Sequence, residues 1–436
     1  MRIESSTHRN ELPTIFREVF AIAPLDLWRR RSDELTERER RNPFLRRYFD
    51  AKYSTERMLH RVLSYRKFIG RYPVIRGTQD QEVFRLYSFA ATLTRVYSHL
   101  ASQARNRLRG AMRDGLNGEH GLAPVVLEMS VATHLSNAGF DIDFVDLEGR
   151  HRFDFLARKE RMELEVDCKT ASGDVGRSAH RRRSSELFYR IQPALAEQVD
   201  QHGSKAIKIL IPESLHGSDE YMAQLSRLVI KSVRQQQDLS MAGVADVTLS
   251  GLEIGDGAFT QAAEPSEDEL ARIVLNTFGS ANAHAISMHR PGTAAVVAVI
   301  QSKRQDKVLD GIYRALKSSA ENQFSGSNPA LLAVRLTDLT SPQLHELAAN
   351  RANGLGAICN RLFSSQSRHH LYGVAILAAA QPLTGFRFAG GQIFDERGAA
   401  LLFRRAGHPS ADDPRLHMLF SSWSLLMISR FGAISR

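Results

Sequence analysis

The stretch from Arg152 to Ser172 constrains the fold of this 436-residue chain more than any other. It reads RFDFLARKERMELEVDCKTAS, in which apolar and charged residues alternate on both sides of a polar centre. Because side chains along a β-strand point to alternate faces, this pattern predicts two antiparallel strands joined by a tight turn at Glu160 and Arg161. A single register, with Phe155 opposite Val166, places the apolar residues of both strands on one face.

The same register predicts that two carboxylates lie side by side. Asp154 is expected opposite Asp167, and Phe153 opposite Cys168. Like charges on neighbouring strands destabilise a sheet unless something compensates, and Mg²⁺ commonly takes one or two carboxylates together with water and phosphates. Lys169 is expected on the same face as Asp167, roughly 6–7 Å along the strand. Two acids, a metal ion and an ammonium group can position a water and stabilise charge on a phosphodiester. The alternative is an edge hairpin whose charged face is only solvated.

These residues resemble a known motif. Asp154 with Asp167-Cys168-Lys169 is similar to the PD-(D/E)xK signature of restriction-endonuclease-like nucleases. The chain departs from the signature at Phe153, where proline is usual, and in having Asp as the second acid where Glu is commoner. The resemblance implies that Asp154 and Asp167 bind Mg²⁺, for which Mn²⁺ can substitute, and that the carbonyl of Cys168 assists. It also implies that Lys169 orients the attacking water or helps to deprotonate it.

A helix is predicted from Ala123 to Asn137, just before this stretch. Pro124 suits its first turn, and Gly139 is placed to cap its end. Glu128 falls within the apolar stripe of this helix, where a carboxylate is costly unless it is paired or bound to metal. Members of the nuclease superfamily tend to carry a Glu on the helix in this place, so the resemblance implies a catalytic role for Glu128. The alternative is a Glu that is hydrogen-bonded locally near the helix N-terminus. Glu165, on the charged face of the second strand, is a secondary candidate.

The charge of the chain favours an acidic partner. The formal net charge is +10, and nucleic acid or an anionic membrane surface would complement it. Four arginines follow the proposed metal strand and are predicted to contact phosphates of a nucleic acid: Arg177, Arg181, Arg182 and Arg183. An exposed loop without a partner is the alternative.

The composition excludes several classes of protein. Only Cys168 and Cys359 are present, so neither a disulfide framework nor a cysteine-rich zinc site is expected. The first residues lack the apolar run of a secretory signal, and no apolar segment is long enough to cross a bilayer. No phosphate-cradling glycine loop is found, which argues against an ATP-driven motor. A cytoplasmic protein without a membrane partner is therefore expected.

The expected fold class is α/β, with three regions. Residues 1–118 are predicted to form a basic helical region that either grips nucleic acid or serves as a solvated cap or oligomerisation element. Residues 119–254 are predicted to form a nuclease-like core, which the resemblance implies is a restriction-endonuclease-like mixed sheet flanked by helices. Residues 270–436 alternate strands with helices, which predicts an α/β extension of that sheet or a second domain.

The sequence therefore predicts a metal-dependent nuclease that hydrolyses phosphodiester bonds of nucleic acid, with DNA as the expected substrate. A role in defence against foreign DNA would suit such an enzyme by analogy, and a homo-oligomer or a defence-complex partner is a further option. One alternative is a catalytically silent nuclease-like module that binds nucleic acid or a protein. Another is a structural protein whose basic helices contact partners in a larger assembly.

Overall fold

A computed structural model of the protein describes most of the chain. The described residues are 1–3, 7, 9–75, 81–172, 174–215, 217–252, 265, 267–279, 283–290, 294–304, 306–337, 344, 347–348, 354–378, 386–387, 393–394, 400–410, 413–417 and 419. Three further sequence predictions lie largely outside them: a linker at 255–269, where Gly, Pro, Ser and acidic residues are mixed, a helix at 342–350, and closing hairpins at the glycines near 390 and 397.

Helices dominate the first third of the described chain and recur between the strands. They are α1 (Leu12–Ile22), α2 (Leu25–Arg41), α3 (Leu45–Lys52), α4 (Ser54–Ile69), α5 (Gln81–His99), α6 (Ser102–Asn117), α7 (Ala123–Asn137), α8 (Val145–Glu148), α9 (Arg181–Glu197), α10 (Asp219–Gln235), α11 (Glu267–Phe278), α12 (Val308–Asn322), α13 (Leu355–Phe363) and α14 (Pro414–His417). The predicted helical character of residues 1–118 is thus confirmed where the structure describes them.

The strands begin after α7. They are β1 (Asp141–Asp143), β2 (Phe155–Lys159), β3 (Met162–Ser172), β4 (Lys205–Ile211), β5 (Leu239–Met241), β6 (Ala245–Ser250), β7 (His284–Arg290), β8 (Ala294–Ser302), β9 (Ala330–Thr337), β10 (Leu371–Ala378), β11 (Phe386–Arg387), β12 (Ile393–Phe394) and β13 (Ala400–Arg404). The fold is mixed α/β, as the sequence predicts.

The first large sheet contains the predicted hairpin. Its order is β1-β2-β3-β9-β10-β13, with β3, β9 and β10 parallel and the outer pairs antiparallel. One face packs on the N-terminal helices and α7 through a core that includes Phe155, Leu164 and Val166. The other face packs on α12 and α13 through residues such as Leu332 and Ile376. Burial on both faces explains why β9 is apolar along nearly all of its length.

The second sheet has the order β5-β6-β4-β8-β7. Helices α9 and α10 cover one of its faces, and α11 packs against the other. The run KAIKILI at Lys205–Ile211 predicts a strand that extends the hairpin's sheet, and this prediction is wrong, since β4 pairs with β6 and β8. Residues 119–254 and 270–436 each contribute strands to both sheets.

The chain leaves the first sheet after β3, builds the second sheet and returns through α12. The exit and the return are joined at one point, where the backbone N–H of Lys307 donates to the carbonyl of Gly176 at 2.8 Å. Next to it, the N–H of Ser178 donates to Asp306 at 2.8 Å. These bonds hold α12 against the end of the strand that carries Asp167.

Two local expectations need correction. The sequence from Phe140 to Leu147 predicts a leading strand before the hairpin. Only the three-residue β1 forms, because the chain then turns into α8, which ends at Gly149, whose φ of 75° favours glycine. The first hairpin strand begins at Phe155 rather than at Arg152. Phe153 accordingly does not share the core of Phe155, and it packs with Val145 and Leu156 in a separate small cluster.

Candidate active site

The hairpin has the predicted register and turn. Phe155 lies opposite Val166, and the strands are joined through Glu160 and Arg161. Glu160 has a φ of 55°, the left-handed conformation that a tight turn of this kind requires. Asp154 comes directly before β2, so its carboxylate emerges at the start of the hairpin's first strand.

Asp154 reaches across to the second strand. Its Oδ2 accepts a hydrogen bond from the backbone N–H of Cys168 at 2.5 Å, which fixes the carboxylate beside β3. Burial and the neighbouring charge of Asp167 raise the pKa of Asp154 to about 7, against the opposing effects of Lys169 and the Cys168 N–H. The two acids therefore lie close enough to oppose each other's ionisation.

Asp167 lies at the centre of β3 and has no exposed surface. Lys169 Nζ donates to its Oδ1 at 3.1 Å, and the hydroxyl of Ser319 on α12 donates to its Oδ2. Burial raises the pKa of Asp167, although Lys169 and Ser319 both favour the charged form. The carboxylate of Asp167 can be fully buried because Lys169 and Ser319 donate hydrogen bonds to both of its oxygens.

Lys169 extends from the same face towards solvent, with 36% of its side chain exposed. Burial alone would lower the pKa of Lys169, but Asp167 and Asp154 outweigh this effect and raise it. The lysine is therefore an ammonium group at neutral pH. It balances part of the negative charge of the cluster and can place a positive charge beside a bound anion.

Glu128 of α7 joins this cluster. Burial is the first cause of its pKa lying well above the ordinary value, and the charge of Asp154 is the second. Helix α7 is buried on most of its sides rather than along one stripe, since Leu127 and Met129 beside Glu128 are buried as well as Val125 and Val131, and Glu128 itself is half-buried. Its carboxyl group is held in the neutral form at pH values where an exposed Glu would be charged.

A further acid, Asp146, lies at the edge of the cluster. Its charge contributes to the raised pKa values of Glu128, Asp154 and Asp167, so it is close to all three. Its backbone is held by Arg107 of α6, whose Nη1 donates to the Asp146 carbonyl at 3.1 Å. Sequence reasoning missed Asp146 because it assigned the residue to a strand. It missed Ser319 because no local pattern connects it to Asp167.

The carboxylate oxygens at this site are ligands that a hard divalent cation prefers, but they are few. Asp154 and Asp167 offer carboxylate oxygens. The charge of Asp167 raises the pKa of Asp154, and a bound cation would reduce this repulsion. Within the described residues, no three His, Cys, Asp or Glu side chains converge to form a complete metal-binding group. Water and substrate oxygens would therefore supply the remaining ligands, as is usual for Mg²⁺.

Two predicted residues have structural contacts. The side chain of Cys168 is buried in the core between the first sheet and the helices, which leaves only its backbone for the site. Glu165, the secondary candidate, is buried away from solvent and accepts hydrogen bonds from the loop after α12. Its donors are the backbone N–H and hydroxyl of Ser325 and the side-chain amide of Asn328.

The four arginines after β3 have different environments. Arg177 is buried and pairs with Asp306 at 3.6 Å. Arg182 and Arg183 are exposed on the first turn of α9, where both face Glu186 at 3.8 and 2.7 Å. Arg181 lies at a cavity between α3, α9 and β7, and its backbone N–H donates to Asp174 at 2.7 Å. The structure thus distributes these residues over three surroundings rather than one phosphate-binding loop.

Comparison with known proteins adds no relative to this description. No protein-family model, no curated protein and no solved structure matches the chain. Among the helices that the structure describes, none has the length and apolar character needed to cross a membrane.

Proposed function

We propose that this protein is a metal-dependent nuclease that hydrolyses phosphodiester bonds of nucleic acid, with DNA as the expected substrate. The observation that carries the proposal is the grouping of Asp154, Asp167 and Lys169 at the open end of one hairpin, with Glu128 next to them. This grouping agrees with the spatial context expected of a PD-(D/E)xK site: a helix with Glu, a strand with Asp, a turn, and a strand with Asp-x-Lys.

In this proposal Asp154 and Asp167 would hold Mg²⁺ or Mn²⁺, with the carbonyl of Cys168 assisting. When bound, the ion would stabilise negative charge on the phosphate and lower the pKa of a bound water. The chain's own groups fix the arrangement, since the Cys168 N–H orients Asp154 and the Ser319 hydroxyl orients Asp167.

Lys169 and Glu128 supply the remaining chemistry. The Lys169 ammonium would orient the attacking water and stabilise charge that develops on the phosphate. Glu128, held neutral by burial and by Asp154, can donate or accept a hydrogen bond to a water beside the acids. The net charge of +10 favours binding of a polyanion.

A catalytically silent nucleic-acid-binding module is the second candidate. It is favoured by the observation that both oxygens of Asp167 already accept hydrogen bonds, and that no group of three or more metal-ligating side chains occurs in the described chain. Location in the cytoplasm and a role in defence against foreign DNA stay predictions from the sequence.

Cleavage assays separate the two candidates. Plasmid, linear duplex and single-stranded DNA, and RNA, are incubated with the protein with and without Mg²⁺ or Mn²⁺. We expect metal-dependent cleavage by the wild type, loss of cleavage in Asp154→Asn and Lys169→Ala, and retention in the control Asp141→Asn, whose carboxylate is exposed on β1. Undiminished cleavage by both site variants would refute the assignment. DNA binding without cleavage, and calorimetry in which Asp167→Ala leaves metal binding unchanged, would support the silent module.

A further inference from the structure

The C-terminal end of α4 concentrates exposed hydrophobic surface. Seven large hydrophobic side chains are exposed in the described chain, and four of them lie within residues 65–74: Tyr65, Phe68, Ile69 and Val74. Phe68 is the most exposed of the seven, at 82%. Single exposed hydrophobic residues are ordinary on a protein surface, whereas a cluster of them marks an interaction site.

This cluster continues the core-facing stripe of α4. Met58 and Val62 are buried in the core of the N-terminal helices. Tyr65 and Ile69 follow at spacings of three and four, which place them on the same face of the helix. They are nevertheless exposed, so the last turn of α4 extends past the part of the core that covers its earlier turns.

Positive charges accompany the cluster. Arg66, Lys67 and Arg71 are all exposed, and residues 58–79 contain no Asp or Glu. The guanidinium of Arg66 lies 4.7 Å from the ring centre of Tyr72 and donates to the hydroxyl of that residue at 2.7 Å. No acid of the described chain pairs with any of the three cations. Residues 65–71 together with Val74 form a surface that is both hydrophobic and basic, the α4 patch.

The charge of the α4 patch argues against a second copy of the chain as its partner. A symmetric contact through the patch would bring Lys67 and Arg71 against the same cations of the other copy, and like charges that meet in an interface are unfavourable. The complementary partner is therefore an anion. The helix dipole would also favour cations at this end of α4, but it does not explain why hydrophobic side chains are exposed there.

The geometry of α4 argues against a membrane surface. A helix that lies in a membrane surface presents a continuous apolar face to the lipid. In α4 that face is buried in the protein along its earlier turns, at Met58, Leu59 and Val62. Only about one turn offers hydrophobic surface, which suits a partner whose apolar groups are small, flat and spaced between negative charges.

A single strand of nucleic acid has these properties, because each base presents an aromatic face and each phosphate a negative charge. We propose that the α4 patch binds single-stranded nucleic acid, with a base stacked on Phe68 and phosphates at Lys67 and Arg71. In a duplex the bases stack on one another, so Phe68 gains no such contact. The proposal does not depend on the proposed cleavage, because none of these residues belongs to the acid cluster.

Fluorescence anisotropy on the full chain, with a chelator present to prevent cleavage, tests the proposal. The probes are a labelled DNA strand of about 16 nucleotides, the RNA strand of the same sequence and the DNA duplex. We expect saturable binding of the single strands, about fivefold or more tighter than that of the duplex. Asp154→Asn should bind them as tightly as the wild type.

Variants of Phe68 test whether a base stacks there. Phe68→Ala and Phe68→Leu are each expected to weaken strand binding about fivefold or more, because leucine keeps the hydrophobic surface but not the aromatic face. Phe68→Trp should bind as tightly as the wild type. Leu275→Ala is the control, since Leu275 is an exposed hydrophobic residue of α11. Because Phe68 is exposed, none of its variants should lower the thermal unfolding midpoint.

Variants of the cations test the phosphate contacts. Lys67→Gln and Arg71→Gln should each reduce the slope of log affinity against log salt concentration by about 0.7, the value for one phosphate of a single strand. Lys231→Gln on α10 is the matched control, because Lys231 is exposed and its replacement makes the same change in net charge. Its slope should equal that of the wild type.

Four results would overturn the proposal. They are the absence of saturable binding of either strand, strand binding by Phe68→Leu as tight as that of the wild type, equal losses in Phe68→Ala and Leu275→Ala, and salt slopes that Lys67→Gln and Lys231→Gln change equally. Binding to anionic lipid vesicles, or self-association, that is lost in Phe68→Ala while strand binding is unchanged would assign the α4 patch to a membrane or a second copy and also overturn it. Strand binding that depends on Phe68 in a protein that cleaves nothing would support this proposal and refute the nuclease.

Discussion

The hydroxyl of Ser319 donates a hydrogen bond to Asp167, although the two residues lie 152 positions apart in the chain. Both side chains are buried. The bond joins the centre of β3 to α12, which the chain reaches only after it has built the whole second sheet. An acid of the candidate site is therefore oriented by a helix from a distant part of the sequence.

Replacing Ser319 should impair cleavage without removing any group that contacts the substrate. In Ser319→Ala, Asp167 loses a donor that favours its charged form, so its pKa should rise further. We expect cleavage to fall about tenfold, as is typical when the partner of a metal ligand is lost. The pH at which activity is half-maximal should also move upward, which a loss of stability alone would not cause.

Ser318→Ala is the matched control for this prediction. Ser318 precedes Ser319 on the same helix but is exposed, so its replacement should change neither the rate nor the pH profile. Equal rates and pH profiles in Ser319→Ala and the wild type would show that the bond does not position Asp167 for function.

The raised pKa of Asp154 predicts that stability of the metal-free protein falls as pH rises. The pKa is about 7 in the folded state and lies near 3.8 when the side chain is exposed, so folding favours the protonated form. The cost of ionising Asp154 in the fold therefore begins to grow near pH 4 and is complete above pH 7. Asp154→Asn removes this cost, and it should stabilise the metal-free protein by up to about 4 kcal/mol at pH 8 relative to the wild type.

Denaturant unfolding at pH 4 and pH 8, with a chelator present, measures this difference. The gain in Asp154→Asn should be much smaller at pH 4, where the folded wild type already carries the proton. Addition of Mn²⁺ at pH 8 should raise the stability of the wild type and leave the variant unchanged. A variant that is less stable than the wild type at pH 8 would show that Asp154 is not held at a destabilising site.

The parts of the site that the sequence predicted are those set by local chemistry. Alternation along the hairpin fixes the register of Phe155 with Val166, because a shift by one residue would expose every apolar side chain. Helix α7 follows from Pro124 at its start and from Gly139 just beyond its end. These signals lie within a few residues of the elements that they define.

The pairing of strands across long distances could not be predicted in the same way. Strands β4 and β9 are both short apolar runs, and each is buried in a sheet whose pattern does not specify a neighbour. Nothing in the sequence therefore assigns β9 rather than β4 to the side of β3. The hydrogen-bond partners that α12 and its following loop provide to Asp167 and Glu165 depend on which strand lies beside β3. They could therefore not be predicted from the sequence either.

A substitution at Glu165 tests whether this acid of β3 has a structural role, in contrast to the catalytic role proposed for Asp167 on the same strand. Its carboxylate accepts from Ser325 and Asn328, and Glu165→Gln replaces one accepting oxygen by a donor that faces another donor. We expect a loss of about 1–3 kcal/mol in the free energy of unfolding, because a buried group is left unsatisfied. Cleavage per folded molecule should persist at temperatures well below the transition.

The neighbouring Glu163→Gln is the control, since Glu163 forms only an exposed pair with Arg158 at 2.9 Å. Its effect on stability should be within about 1 kcal/mol. Loss of cleavage in folded Glu165→Gln protein would move Glu165 into the active site and contradict its assignment to the loop.

Gly176 tests whether the junction between the two sheets supports the site. A β-carbon at this position would lie 2.2 Å from the carbonyl oxygen of Lys307, and its φ of 76° is also unfavourable for other residues. Gly176→Ala must therefore separate the exit of β3 from the start of α12. Gly70→Ala is the control, because its φ is 75° in the left-handed helical region at the end of α4 and no atom lies within 4 Å of the added carbon.

Both variants carry the conformational cost of about 1 kcal/mol for a positive φ, and only Gly176→Ala adds the clash. We expect Gly176→Ala to lower the thermal midpoint by several degrees more than Gly70→Ala, and to reduce cleavage by the folded protein, because α12 carries Ser319. Stability and cleavage are measured on the same preparations. If the two variants have the same thermal midpoint and the same cleavage activity, the backbone at Gly176 and Lys307 accommodates the added carbon without loss of stability. The position of Asp167 then does not depend on how α12 is anchored.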